Sequence, residues 1–347
     1  MRVTTLKAGL KVFCISQGGD FFFILSAASI ISITQVSDIS LLLTISGLFQ
    51  WDFFPLWSAL IPVTSCWSFG LITALLLKSA QLVFFPWLLD AMEAPVPISA
   101  QLHSSTLVII GFYVIFRLWG VVVLWDTAYL ILLISGSFTA LGASILGFFQ
   151  TDGKKLLACS TAGQLGYVLV GLGLNLLTES LFLLFFCCTN KAFTFVWLGS
   201  LMDRRAGISD FRRLGLGNLA SVERAGLFVS VANSTFFPGA FAFHVKALFS
   251  RGLLQGSSNL EPICVELLAL TWFLSALYLF KLFAAIFQAP TKSPLSLAFV
   301  LQQIKDPRRL ATFLAQIFIM GVLVAFSVFS IFGLNAAVDF CLDIFWF

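Results

Sequence analysis

Four lysines of this sequence stand inside apolar stretches: Lys78 after TALLL, Lys191 ahead of AFTFVWLGS, Lys246 after FAFHV and Lys281 within LYLFKLF. An ammonium held in hydrocarbon costs several kcal/mol, so a chain that keeps one there is expected to use it. Such groups gain and lose protons near neutral pH, which suits a proton relay better than a bulky-substrate site. Lys281 lies past the middle of its stretch, where a long side chain can snorkel, and a structural role is expected for it. Lys78, Lys191 and Lys246 are the candidates for chemistry. Both histidines, His103 and His244, also fall in or at apolar stretches. A lone membrane histidine often serves only to hydrogen-bond one helix to another. His103, however, shares a polar patch with Gln101, Ser104, Ser105 and Thr106, which favours it as a relay link. Asp20, after Gly18 and Gly19 and before FFFIL, is the one acid well placed at a span entrance. Glu266 is expected in the interface.

Helices in a bilayer must position these groups. The 347 residues are 59% hydrophobic and 10% charged, with mean hydropathy +1.01. Soluble domains run nearer 45–50% apolar and about 25% charged. A water-soluble enzyme, a secreted disulfide scaffold and a nucleic-acid binder are therefore disfavoured. Phe outnumbers Tyr 40 to 4, so the aromatic content is lipid-compatible rather than amphipathic. The cysteines, Cys14, Cys66, Cys159, Cys187, Cys188, Cys264 and Cys341, show no CxxC spacing and read as small packing hydrophobes. No cleavable signal is expected at the N-terminus, since Asp20 interrupts the apolar run and no small-residue cleavage pattern follows.

Apolar runs bounded by charge, Pro or Gly predict nine spans, centred on Phe21–Gln35, Leu56–Phe85, Pro97–Phe116, Leu130–Phe149, Leu156–Leu172, Leu181–Met202, Ala225–Leu248, Cys264–Phe287 and Leu310–Leu334. The fold class is thus an all-α integral membrane protein, residues 1–347 forming one membrane domain. Alternation of sides puts Arg2, Lys7, Lys11, Lys154, Lys155, Arg204, Arg205, Arg212, Arg213, Arg224, Lys292, Lys305, Arg308 and Arg309 together, with only Arg117 and Arg251 opposite. The positive-inside tendency assigns the basic side, and the N-terminus with it, to the cytoplasm or its organellar equivalent, the matrix.

Two spans pair a lysine with a proline: Pro86 follows Lys78 by eight residues, and Pro238 precedes Lys246 by eight. Proline inside a helix removes a hydrogen bond and forces a break. Freed backbone groups in a membrane need protein or water around them. Two broken helices with lysines on opposite sides of the break, five spans apart, fit an inverted-topology repeat.

The run KSAQLVFFPWLLDAMEAPVPISAQLHSSTLVIIGFYVIFRLW, Lys78–Trp119, resembles the hallmark of the antiporter-like membrane subunits of respiratory complex I. Its Asp90-Ala-Met-Glu-Ala-Pro stretch and His103 most resemble subunit five. Matching blocks follow in order: Thr151–Gly173, Asn190–Ser200, Ser209–Gly217, Phe236–Phe249 and Leu277–Phe287. The resemblance implies that Lys78 is the broken-helix lysine of a first half-channel, Lys191 the central lysine and Lys246 the lysine of the second broken helix. It implies that His103 links the first two through water and that Asp20 is a helix-start acid of the GD type, with His244 a weaker candidate. It implies 1–119 as a remnant of a first repeat with three helices, 120–290 as a second five-helix repeat, and 291–347 as a C-terminal helix and tail.

The implied function is proton translocation in the membrane arm, driven by NADH:ubiquinone oxidoreduction elsewhere in the complex. No cofactor is expected on this chain; NADH, FMN, iron–sulfur clusters and ubiquinone belong to other subunits. The implied partners are other membrane-arm subunits and lipid, cardiolipin included, with no nucleic acid. The implied location is the mitochondrial inner membrane. Two rivals share the features: a subunit of a multisubunit sodium/proton antiporter, and a non-pumping structural remnant.

Departures from the family pattern are specific. Relatives often carry histidines four and eight residues before the central lysine, where this chain has Cys187 and Leu183; water or Thr189 would have to bridge. Ala247 follows Lys246 where relatives often place an acid, leaving His244 as the substitute. The resemblance begins inside the family's pattern, so a split subunit is expected, with a separate polypeptide supplying the first helices. Lys78 sharpens that expectation. Asp90 and Glu93 lie about a dozen residues on, roughly 18–22 Å along a helix axis, and Asp20 belongs near the basic side. The acid partner of Lys78 is therefore expected from another chain.

Overall fold

The computed structural model describes residues 3–36, 38–51, 53–56, 59–104, 106–204, 207–213, 221–235, 246–247, 249–251 and 261–288. It is a helical membrane protein. Its helices are α1 (Val3–Thr34), α2 (Ile39–Ile45), α3 (Val63–Lys78), α4 (Pro86–Asp90), α5 (Val96–Ser104), α6 (Leu107–Arg117), α7 (Trp119–Val122), α8 (Asp126–Phe149), α9 (Gly153–Gly173), α10 (Leu177–Arg204), α11 (Ser221–Ser234) and α12 (Glu261–Gln288). Among the described residues six segments are long and apolar enough to cross a membrane: Thr5–Thr34, Val96–Arg117, Asp126–Phe149, Gly153–Gly173, Leu177–Met202 and Glu266–Ile286. The predicted ninth span lies outside the described residues.

Two predicted spans change shape. The first begins at Val3 rather than near Phe21, because Lys7 and Lys11 are good helix formers and do not end the helix. At ~1.5 Å per residue its 32 residues run about 48 Å, longer than the ~30 Å hydrocarbon layer, so its ends emerge from it. The second span, expected over Leu56–Phe85, opens instead as an antiparallel hairpin, β1 (Phe53–Leu56) with β2 (Ala59–Pro62), in the register Phe53↔Pro62. A shorter helix, Val63–Lys78, follows Pro62.

The bundle is built around α9, whose residues Leu156 to Gly173 are all buried. It packs on α8 through glycines. A Cβ at Gly136 would meet the Gly166 carbonyl oxygen at 2.7 Å, and one at Gly166 would meet the Gly136 carbonyl oxygen at 2.8 Å. Small residues allow such backbone approach where lipid supplies no hydrophobic drive between helices. Hydroxyls within the helices are satisfied locally: Ser68 donates to the Thr64 carbonyl and Thr161 to the Ala158 carbonyl. Large apolar side chains on the outside of α1, Leu6, Leu10, Phe13, Phe21 and Ile24 among them, follow the helical repeat and leave a lipid-compatible face.

The loops bearing basic residues meet on one face. Gly153 donates its amide to the Ser209 carbonyl at 2.9 Å, and the Ser209 hydroxyl donates to Asp152 at 3.1 Å. Lys154 reaches the Ala94 carbonyl at 3.0 Å, and Lys11 pairs with Asp90 at 2.7 Å. Arg212 donates from Nε and Nη2 to Asp210, which holds that carboxyl below the usual carboxylate range. The pair's small stabilisation is thus present at neutral pH and is lost only as acid protonates Asp210.

Candidate functional site

Lys78 is the last residue of α3, where the helix breaks. Ala80 takes a left-handed φ of 54°, Leu82–Phe84 forms a 3-10 turn, and Pro86 opens α4. Trp87 spans the break by donating Nε1–H to the Leu77 carbonyl at 3.2 Å. The terminal carbonyls of α3 favour a cation at this position. Lys78 Nζ forms an ion pair with the carboxylate of Asp20.

That pair corrects two expectations. Asp20 is not at a span entrance but well inside α1. Lys78 also has an acid partner on this chain, where one from another chain was expected. Sequence separation hid this because α1 and α3 run antiparallel: Gly19 lies against Leu77 and Lys78, and Ser26 against Gly70. The Lys11–Asp90 pair sets the level at the basic face, and Asp20 lies about 14 Å further along α1. Gly19 makes room for the lysine stem, and Gly111 lies beside it at ordinary contact distance. A Cβ at Gly19 would meet Lys78 Cγ at 3.0 Å, and one at Gly111 of α6 would meet Lys78 Cβ at 3.5 Å.

Lys191 lies in α10 and is 1% exposed. Its Nζ donates to the Ser160 hydroxyl of α9. The Tyr278 hydroxyl of α12 reaches the same serine. Lys246, 3% exposed, stands on a helical stretch and donates to the Ser234 carbonyl, the end of α11, at 3.2 Å; the break expected at Pro238 lies outside the described residues. That carbonyl is one of those a helix end leaves without an intrahelical partner. Lys78 therefore sits at the C-terminus of its own helix, and the Lys246 ammonium meets that of α11. Lys191 and Lys246 are close enough to feel each other's charge, and buried Cys187 lies within electrostatic reach of both.

His103 is placed on α5, which packs on α10 with Val96 against Gly199; its side chain lies outside the described residues, as does His244 altogether. Lys281 donates to the Phe148 carbonyl at 2.9 Å and lies over that residue's ring, capping the end of α8 in the structural role expected of it. The sequence reading missed Ser160, a serine among many. It also missed Gln164 and Asn190, buried amides whose significance depends on what faces them. Among the described residues no three of His, Cys, Asp and Glu converge to hold a metal ion.

Membrane-crossing helices, buried lysines at helix ends and in mid-helix, and a carboxylate paired to one of them define an antiporter-like membrane subunit. The chain belongs to the NADH:quinone oxidoreductase/Mrp antiporter transmembrane family, whose model matches residues 1–265. It is similar to NADH-ubiquinone oxidoreductase chain 5 of Chondrus crispus, 32% identical over 214 residues, 62% of this chain and 32% of the relative. The same subunit of Metridium senile is 30% identical over 249 residues, 71% of this chain and 40% of the relative. That of Marchantia polymorpha is 27% identical over 295 residues, 84% and 44% respectively. The chain thus spans about a third to under a half of the length of these relatives. Among solved structures, a chain of the Mrp complex from Dietzia sp. DQ12-45-1b matches with TM-score 0.70 at 19% identity, over 98% of this chain and 41% of that one. A chain of the membrane-bound sulfane sulfur reductase, an archaeal respiratory membrane complex, matches with TM-score 0.76 at 16% identity, over 99% and 66%. These two likenesses concern the fold.

Proposed function

We propose that this chain carries protons within the membrane arm of a respiratory NADH:ubiquinone oxidoreductase, through Lys78, Lys191 and Lys246. The observation that carries the reading is the arrangement of these three lysines. One is ion-paired to Asp20 at a helix break, and the other two are buried within electrostatic reach of each other. A pair that can open and close at Lys78–Asp20 offers a charge switch, and Ser160 offers Lys191 a hydroxyl partner. His103 is the proposed link between the first two lysines and His244 an auxiliary group near the third. The redox chemistry, with NADH, FMN, iron–sulfur clusters and ubiquinone, is assigned to other subunits. The proposed location is the mitochondrial inner membrane with the basic face toward the matrix, among other membrane-arm subunits and lipid. The electrostatic ground for a second polypeptide at Lys78 falls away with the Asp20 pair.

The test is Lys191→Ala in the assembled complex reconstituted in vesicles. Protons pumped per NADH oxidised should fall while the complex assembles at its normal amount. Pumping equal to that of the unaltered complex would remove Lys191 from the path and support a structural role for the chain.

A further inference from the structure

Asn190 adjoins Lys191 and is completely buried, yet neither its carboxamide oxygen nor its nitrogen has a hydrogen-bond partner among the described residues. Leaving a buried amide unpaired costs on the order of a few kcal/mol. Natural proteins keep such groups where water or function uses them.

Helix registers show what Asn190 faces. On one side α9 and α10 run antiparallel, with Gly153 against Leu198, Ser160 against Lys191 and Gly171 against Ser180. The same register sets Gln164 opposite Cys187, one turn from Lys191. Gln164 Oε1 is a second buried atom without a partner among the described residues. On the other side Trp197 packs on Gly226 of α11, while Lys246, within electrostatic reach of Lys191, bonds the Ser234 carbonyl. Residue numbers rise along α11 as they fall along α10, so these helices are also antiparallel. Asn190 lies two turns from Trp197 on the same face of α10, and so falls level with Asn233, beside the Lys246 contact. It therefore stands on Lys191's own helix, on the side toward Lys246. Cys187 and Leu183 occupy the positions where an imidazole was expected.

We propose that the Asn190 carboxamide, with Gln164 behind it, holds the water that passes a proton between Lys191 and Lys246. An amide does not itself titrate, so Asn190 is a positioning residue: its oxygen accepts from the water and its N–H donates to the next, orienting a short chain between the two amines. Each transfer moves one proton from an ammonium to water and one from water to the neighbouring amine, so charge and atoms balance. The inference rests on the relay reading above.

The experiment uses the assembled complex in vesicles, with Asn190→Leu, Asn190→His and Lys191→Ala compared. Asn190→Leu should assemble normally, because it removes an unpaired amide, and should lose most proton pumping per NADH oxidised. Asn190→His, which again supplies a hydrogen-bond donor and acceptor there, should recover much of it. If Asn190→Leu does not assemble, Asn190→Ala decides in its place. Full pumping in the apolar variant, with Lys191→Ala impaired, would overturn the Asn190 bridge and leave the relay standing. Full pumping in Lys191→Ala as well would overturn the relay itself. A loss that Asn190→His does not restore would also overturn the bridge, in favour of a packing role.

Discussion

Asp20, well inside α1, closes an ion pair with Lys78 at the C-terminus of α3. Lys78 is mostly buried and Asp20 about half-buried, so the pair is screened less than one on an open surface. Asp20→Asn should leave the ammonium without its counter-charge and slow pumping, whereas Asp20→Glu should retain part of it. In a double-mutant cycle with Lys78→Gln, thermal inactivation of the complex should show coupling of about 1–3 kcal/mol. Strictly additive losses would mean the two groups do not act as a pair.

Gly19 and Gly18 differ in what surrounds them. A Cβ at Gly19 presses on the Lys78 stem, while one at Gly18 meets nothing within 4 Å. Gly19→Val should cost about 1–3 kcal/mol by forcing α1 off α3, and should reduce the amount of assembled complex on native gels. Gly18→Val should assemble like the parent. Equal behaviour of the two would contradict the docking of α1 on α3.

Ser160 gives Lys191 its hydrogen bond from a neighbouring helix. Ser160→Ala leaves a buried amine short of a partner at a cost of about 1–3 kcal/mol. A lower melting midpoint together with slower pumping is expected. Ser160→Thr keeps the hydroxyl and should restore pumping first.

Lys281 supplies the contrast. It caps the Phe148 carbonyl near the end of α8 and is exposed. Lys281→Met should cost no more than about 0.3–1 kcal/mol and leave the pumped-proton ratio unchanged. A clear drop in that ratio would place Lys281 in the path.

The three principal lysines were legible because charge in hydrocarbon is rare enough to stand out. The break after Lys78 was legible because Pro86 cannot continue a helix from within. The Asp20 pairing was not, since nothing local to either residue states that α1 docks antiparallel on α3. Ser160 was hidden for a similar reason. Hydroxyls inside these helices mostly bond their own backbone, as Ser68 and Thr161 do, so the one that turns to a lysine looks like the rest. The hairpin at Phe53–Pro62 merged into a continuous apolar run, in which a strand and a helix start look alike by hydropathy.

The mutual contact of Gly136 and Gly166 has a mechanical meaning. With each backbone seated against the other's carbonyl, α8 cannot slide along α9 without side chains riding up on main chain. The two helices act as one stiff post, and Ser160 and Gln164 are fixed rungs on it. In the proposed relay, a stroke that changes proton affinity would then come from partners moving against the post. The Lys78 end is built for such travel, because a long side chain and a broken helix join it to α1. On that proposal the fold divides its labour between a stator and a moving arm.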